Sequence, residues 1–186
     1  MTDLYRVAPD DFKILNRAQG GDGRTVVGRA VPYNVDQVIT RNLTERFEFG
    51  AFANQLRAGH RIPFTRDHMA LGGSVIGRTI RLEDREDGLY GEWRVSRTVL
   101  GDETLALLED GALDQLSIGF RDLAPNPPRN GVTVRSRAHL IEVSVVLNGA
   151  YGENAAVESV RAVAPETPNL AAARNVLGSL PELPSW

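Results

Sequence analysis

Ser117 lies in the stretch LDQLSIGF (residues 113–120), where most of its neighbours are large and apolar. A serine in a strand is more often a packing choice than a reactive group, although valine would pack better here. An alcohol becomes a nucleophile at neutral pH only when an adjacent base takes its proton. A chemical role for Ser117 therefore requires a base, and a group that orients the base, elsewhere in the chain.

The chain contains three histidines, His60, His68 and His139, and His68 is the best candidate for the base. It lies in a non-helical segment shortly before the glycine pair Gly72-Gly73, where small residues let backbone or substrate approach closely. His60 follows the C-terminus of a predicted helix, where a positive charge is favourable, so it has a structural explanation. A histidine in a loop is also more often a hydrogen-bonded surface residue, so His68 alone does not establish a site.

Glu142 is the candidate for the group that orients the imidazole and stabilises its protonated form. It is the one charged residue in the uniformly strand-like segment LIEVSVVL (140–147). By alternation Glu142 lies opposite the core face, as Ser117 lies opposite the apolar face of its own strand. The pattern permits a Ser-His-Glu site without establishing one. The expected core face consists of Ile141, Val143, Val145 and Leu147.

Strands dominate the elements that would position these groups. The segment 12–15 should form a hairpin with the strand predicted over 24–33. Asp87-Gly88 should form the tight turn between the strands predicted over 74–83 and 88–96. Strands are predicted over 24–33, 74–83, 88–96 and 138–147. In 88–96, alternation places Leu89, Gly91, Trp93 and Val95 on one face of the strand, with Tyr90 and polar residues on the other, the pattern of a half-buried strand.

Two short helices are predicted, over 50–59 and 101–111. In the second helix Asp102 can cap the N-terminus, and Gly111 can take the left-handed conformation after the C-terminus. Residues 124–131, APNPPRNG, should form an exposed loop. The sequence therefore predicts a β-rich domain with a few helices on its outside.

Length and composition limit the possible classes of protein. The 186 residues suffice for one domain, and a formal net charge of -3 offers no basic field for nucleic acid. The absence of cysteine excludes disulfides, thiolate zinc sites and a cysteine nucleophile. Neither a signal peptide nor an apolar run of membrane-spanning length is present, so we expect a soluble intracellular protein.

In order along the chain, the segments TVVGRAVPY, DHMALGGSVIGRT, DGLYGEWRV, LSIGF and HLIEVSVVLNGAYGENAAV closely resemble the prohead (head maturation) proteases of tailed bacteriophages. The resemblance covers roughly residues 24–158. Its most specific parts are Asp-His at 67–68, LSIGF at 116–120 and EVSVV at 142–146. It implies a serine endopeptidase related in fold to the herpesvirus capsid assembly proteases.

The fold that the resemblance implies is mainly β, with a closed barrel of about seven strands and short helices around it. The protease domain would cover residues 1–160. Residues 161–186, rich in proline, would form a flexible tail with a short helix near 170–177.

The resemblance also implies a role for each candidate residue. Ser117 would be the nucleophile, His68 the general base and acid, and Glu142 the orienting acceptor. Because the herpesvirus relatives use a second histidine as third member, His139 is an alternative to Glu142. Alternation places His139 on the core face, which favours Glu142. Donors to the reaction's oxyanion would come from the backbone N–H groups of Ile118 or Gly119, or from Arg135 or Arg137.

The expected substrates are the scaffolding domain of the major capsid protein and the protease itself, cleaved inside the procapsid in the host cytoplasm. No cofactor, metal, nucleic acid or membrane is expected to take part, and a homodimer is left open. One alternative is a catalytically inactive capsid-assembly protein with the same fold. A second is a metal-dependent hydrolase that uses Asp67 and His68, although the sequence has no metal-ligand spacing such as H-E-x-x-H.

Overall fold

A computed structural model of the chain describes residues 23–124 and 127–161. The predicted strand at 12–15 and the proline-rich tail with its helix near 170–177 lie outside these residues. The proposed boundary between domain and tail therefore stays a prediction.

The described residues form ten strands, one α-helix and three short 3-10 segments. No helix among them combines the length and apolarity that crossing a membrane requires. The strands are β1 (Thr25–Pro32), β2 (Gln37–Thr40), β3 (Leu43–Phe47), β4 (Pro63–Arg66), β5 (Ser74–Arg85), β6 (Gly88–Val95), β7 (Gln115–Asp122), β8 (Val132–Arg135), β9 (Ala138–Val146) and β10 (Val157–Arg161). The helix α1 spans Val99–Glu109, and the 3-10 segments span Ala53–Arg61, Met69–Leu71 and Gly152–Asn154.

Seven strands form one curled sheet in the order β10-β1-β6-β5-β4-β9-β7. Its two edge strands approach each other at a single bridge, between Gln115 and Ala156. After Ala156 the chain pairs with β1 instead of β7. Residues 117–122 of β7 therefore have no strand on their outer side among the described residues. The predicted closed barrel is therefore wrong, and the sheet is a half-barrel.

The core fills the concave side of this sheet. The expected core face of β6 is confirmed, since Leu89, Gly91, Trp93 and Val95 are all buried, and Tyr90 on the opposite face is buried as well. Trp93 stacks on Phe64 of β4 with ring centroids 5.3 Å apart. Apolar residues of β7 and β9, including Leu116 and Val143, belong to the same core, so the strands that carry the candidate residues are anchored by hydrophobic burial.

The strand predictions at 74–83 and 88–96 are confirmed as β5 and β6, with the turn centred on Glu86-Asp87 rather than on Asp87-Gly88. The helix predicted at 101–111 is confirmed as α1, but its N-cap is Thr98, whose hydroxyl accepts from the Gly101 N–H. Asp102 lies in the first turn instead. Gly111 has the expected left-handed conformation, with φ of 71°.

The other predicted helix and the predicted loop also have counterparts. The segment predicted at 50–59 is helical, but as 3-10 turns over Ala53–Arg61 that break at Ala58. In the stretch 124–131, the described residues 127–131 are exposed and contain the left-handed pair Asn130-Gly131.

In β9, Val143 and Val145 of the predicted core face are buried as expected, but a β-bulge overturns the prediction for Ile141. Opposite β7, Gly119 pairs with Glu142 and the next residue pairs with Leu140, so Ile141 is the extra residue. Alternation therefore shifts at this point: Leu140 is buried, and Ile141 is 51% exposed. Leu147, also assigned to the core face, lies beyond the strand end and is exposed.

A second sheet, in the order β2-β3-β8, is tied to the first by a buried polar cluster. Arg135 of β8 donates to Glu45 of β3 at 2.6 Å and also pairs with Asp122 of β7. The Tyr151 hydroxyl donates to the other oxygen of Glu45 at 2.6 Å. Burial raises the pKa of Tyr151, and the negative charge of Glu45 raises it further, so this hydroxyl stays a hydrogen-bond donor at neutral pH.

Candidate active site

The structure brings the side chains of Ser117, His68 and Glu142 into one hydrogen-bonded row. The Nε2 atom of His68 lies 2.9 Å from Ser117 Oγ. On the other side of the ring, Nδ1 lies 2.8 Å from Glu142 Oε1. These distances are those of direct hydrogen bonds, so the imidazole bridges the hydroxyl and the carboxylate.

The pairing of β7 with β9 places Ser117 and Glu142 near each other. These strands are antiparallel, with Ser117 opposite Ser144 and Gly119 opposite Glu142. Side chains two residues apart on a strand lie on the same face, so both groups project from the face of the sheet opposite Leu116 and Val143. Ser117 and Glu142 are 7% and 4% exposed, respectively.

A tight loop after β4 carries His68. The Asp67 N–H still bonds to the Val145 carbonyl at 3.0 Å, which ties the loop to β9 one residue before the histidine. Asp67 then adopts a left-handed conformation with φ of 59°. The N–H groups of Leu71 and Gly73 both bond to the His68 carbonyl, at 2.8 and 2.9 Å. The backbone on either side of His68 is thus held by hydrogen bonds.

Glycines in this loop and beside Glu142 leave the room that the row requires. A Cβ at Gly73 would overlap the backbone of Asp67. A Cβ at Gly119 would lie 2.8 Å from Glu142 Cγ and 3.1 Å from its Oε1. The glycine two residues after Ser117 therefore accommodates the Glu142 side chain, which lies over its backbone.

The carboxylate of Glu142 also contacts the loop directly. Its second oxygen, Oε2, accepts from the Met69 N–H at 3.3 Å. Glu142 is thus bonded to the ring of His68 and to the backbone of the next residue, which restricts the orientation of both.

The family model of caudovirus prohead serine proteases matches residues 12–167 of the chain. The chain belongs to this family. The resemblance noted in the sequence is confirmed, and the family's serine peptidase class supports a general role in capsid maturation. A search of curated proteins finds no match. The kinship with herpesvirus proteases stays a prediction.

In this prohead protease chain, His139 is the alternative to Glu142 as the residue that orients the His68 ring. Alternation had placed His139 on the same buried face as Val143. The bulge at Ile141 changes this, and His139 does not share that face. It is half-buried and lies opposite Arg121 on β7. In the described part of the chain, the bonds of the His68 ring go to Ser117, Glu142 and Ser144 rather than to His139.

The four predicted oxyanion donors are placed very differently. The Leu116 N–H bonds to the Ala155 carbonyl at 2.7 Å and so points away from β9. By alternation the Ile118 N–H points to the same outer edge of β7, where no strand is paired among the described residues, and the Gly119 N–H points toward β9. The Arg135 guanidinium is bound by Glu45 and Asp122, and Arg137 is exposed. Ile118 is therefore the one whose N–H points to the unpaired edge of β7 beside Ser117.

Two hydroxyl groups that sequence reasoning did not assign to the site lie behind the imidazole. Ser144 Oγ is 3.3 Å from His68 Nδ1 and 2.7 Å from Thr65 Oγ1. Ser144 is two residues after Glu142 in the strand, and its polarity among valines was the available signal. Thr65 had no such signal, because it reaches the site only through the parallel pairing of β4 with β9.

His60 lies in the 3-10 segment Ala53–Arg61, and its side chain is not among those described. Within residues 23–124 and 127–161, no three histidine or acidic side chains converge as metal ligands would.

Gly119→Ala should disturb the row without removing any of its members. The new methyl group would displace the Glu142 carboxylate, so we expect the rate of Ser117 phosphonylation to fall by about tenfold or more, since small misplacements in such sites are costly. The rate would be measured with a fluorophosphonate reagent. Gly131→Ala, at an exposed turn outside the row, is the control for general destabilisation, because alanine is strained at the left-handed φ of 81° found there. A Gly119→Ala chain that reacts at the wild-type rate would contradict this role.

Proposed function

We propose that the chain is a serine endopeptidase that cleaves the scaffolding region of the phage major capsid protein, and itself, during procapsid maturation. Ser117 acts as nucleophile, His68 as general base and acid, and Glu142 as the orienting acceptor. The observation that carries this proposal is the unbroken row of hydrogen bonds from Ser117 Oγ through the His68 ring to Glu142 Oε1. Family membership supports the substrate class.

The row supports acyl transfer in two steps. His68 Nε2 takes the Ser117 proton as the oxygen attacks a peptide carbonyl, and then delivers this proton to the leaving amine. His68 Nε2 then takes a proton from a water molecule that attacks the acyl group, and returns the proton to Ser117 Oγ as the carboxylic acid product leaves. Glu142 holds a proton on Nδ1 throughout and stabilises the positive ring that forms between the two transfers.

The negative oxygen of the tetrahedral intermediate needs a donor near Ser117. We assign this role to the Ile118 N–H, which points to the unpaired edge of β7. One such donor typically contributes about 3–4 kcal/mol to stabilisation of the transition state. Arg135 is unsuited to the role, because its charge is already balanced by Glu45 and Asp122.

Ser117→Ala should abolish processing. Co-expression with the cognate capsid protein, followed by mass analysis of the capsid N-terminus, should yield unprocessed chains, since loss of a serine nucleophile lowers rates by about 10⁴-fold or more. Ser136→Ala, at an exposed serine outside the row, should process normally. Cleavage at the wild-type rate by the Ser117→Ala chain would mean that the nucleophile is another group, or that a different protease acts.

Glu142→Gln and His139→Gln distinguish the two candidates for the third position. Glu142→Gln keeps the size of the side chain but removes the negative charge that stabilises the imidazolium, so we expect capsid processing to slow by about 100-fold or more. His139→Gln should stay within about twofold of wild type, because His139 has no contact with the His68 ring. The reverse ranking, measured in the same co-expression assay, would assign the third position to His139.

A further inference from the structure

Ser144 and Thr65 form a buried hydroxyl pair directly behind the imidazole of His68. Ser144 lies on β9, opposite Ser117 on one side and opposite Thr65 on the other. Both side chains have 0% exposure, so bulk water does not compete for their hydrogen bonds. They lie on two interior strands of the sheet, β9 and β4, whose pairing fixes the two oxygens relative to each other.

The hydrogen bonds of the pair have one favourable direction. Thr65 Oγ1 donates its single proton to the Val143 carbonyl at 3.3 Å. The 2.7 Å contact between the two hydroxyls is then made by the Ser144 proton, with Thr65 Oγ1 as acceptor. This leaves a lone pair of Ser144 Oγ toward His68 Nδ1, 3.3 Å away.

The consequence concerns which ring nitrogen carries the proton. Nδ1 faces two acceptors, Ser144 Oγ and Glu142 Oε1, so a proton on Nδ1 makes bonds that a proton on Nε2 cannot make. With the proton on Nδ1, the lone pair of Nε2 is available to Ser117. We propose that Ser144 and Thr65 are positioning residues that hold the neutral ring of His68 in the tautomer able to act as a base.

Packing alone does not explain this pair. Replacing two bonded buried hydroxyls by apolar groups of similar shape is close to neutral for stability, and valine fits strands at least as well as serine or threonine. A hydroxyl pair maintained at this depth beside His68 is better explained by its effect on the ring. The inference rests on the proposed function for its significance, but the tautomer itself is a property of the resting protein.

The test is the tautomer of His68 in the full chain, read from ¹⁵N chemical shifts of labelled histidine near neutral pH. The signals of His68 are assigned by their loss in His68→Asn. In the wild type we expect Nδ1 protonated and Nε2 unprotonated. In Ser144→Ala one acceptor is lost, and the share of the Nε2–H form should rise.

Thr65→Val should shift the tautomer further than Ser144→Ala. It removes the acceptor of the Ser144 proton, which is then free to donate to Nδ1 and so favour the Nε2–H form. Phosphonylation of Ser117 by a fluorophosphonate should slow by about three- to tenfold in both variants. This is the change in rate expected from the loss of about one neutral hydrogen bond. Thr65→Ser, which keeps the hydroxyl, should retain the wild-type tautomer and rate.

Thr79→Val is the matched control. Thr79 is also a fully buried strand threonine, and its hydroxyl donates to the Ile62 carbonyl at 2.8 Å. Thr79→Val removes the same hydroxyl group as Thr65→Val but should leave the His68 signals unchanged. The proposal is overturned if the wild type is mainly Nε2–H, if Ser144→Ala and Thr65→Val leave the tautomer unchanged, or if Thr79→Val shifts it equally. Processing that survives Ser117→Ala would refute the proposed function alone, because the tautomer is measured without turnover.

Discussion

The bridge that the His68 ring makes between Ser117 and Glu142 is the interaction on which the rest of the site depends. Its three members come from neighbouring strands or their ends, β4, β9 and β7, so the order of the curled sheet brings them together. The apolar faces of these strands are buried in one core, and the opposite face carries the polar row. Small departures from regular structure, at Asp67 and at the bulge of β9, adjust the final positions.

Much of the fold was predictable from local patterns, and the errors come from features that depend on distant pairing. The core face in 88–96 and the glycine after α1 are local signals, and both predictions are confirmed. The bulge at Ile141 is not local, because an extra residue in β9 is defined only against its partner β7. It reversed the expected faces of Leu140 and Ile141, and with them the argument about His139. Whether a curled sheet closes likewise depends on where its two edges meet.

The unpaired outer edge of β7, which exists because the sheet is a half-barrel and not a closed barrel, bears on the proposed chemistry. A closed barrel would have paired β7 on both sides along its length. In the half-barrel the outer edge is paired near Leu116 and is free from Ser117 onward among the described residues, so the Ile118 N–H remains available beside the nucleophile. The site residues Ser117, His68 and Glu142 were identifiable as candidates from sequence, but their convergence and the hydroxyls of Ser144 and Thr65 required the strand register.

The central claim is that one hydroxyl of the chain is activated by one imidazole. Peptide mapping after reaction with a fluorophosphonate tests this most directly, because the reagent marks the oxygen that attacks. We expect a single modified residue, Ser117, and no modification in a His68→Ala chain. Modification of a different serine, or labelling of Ser117 that persists without His68, would contradict the account.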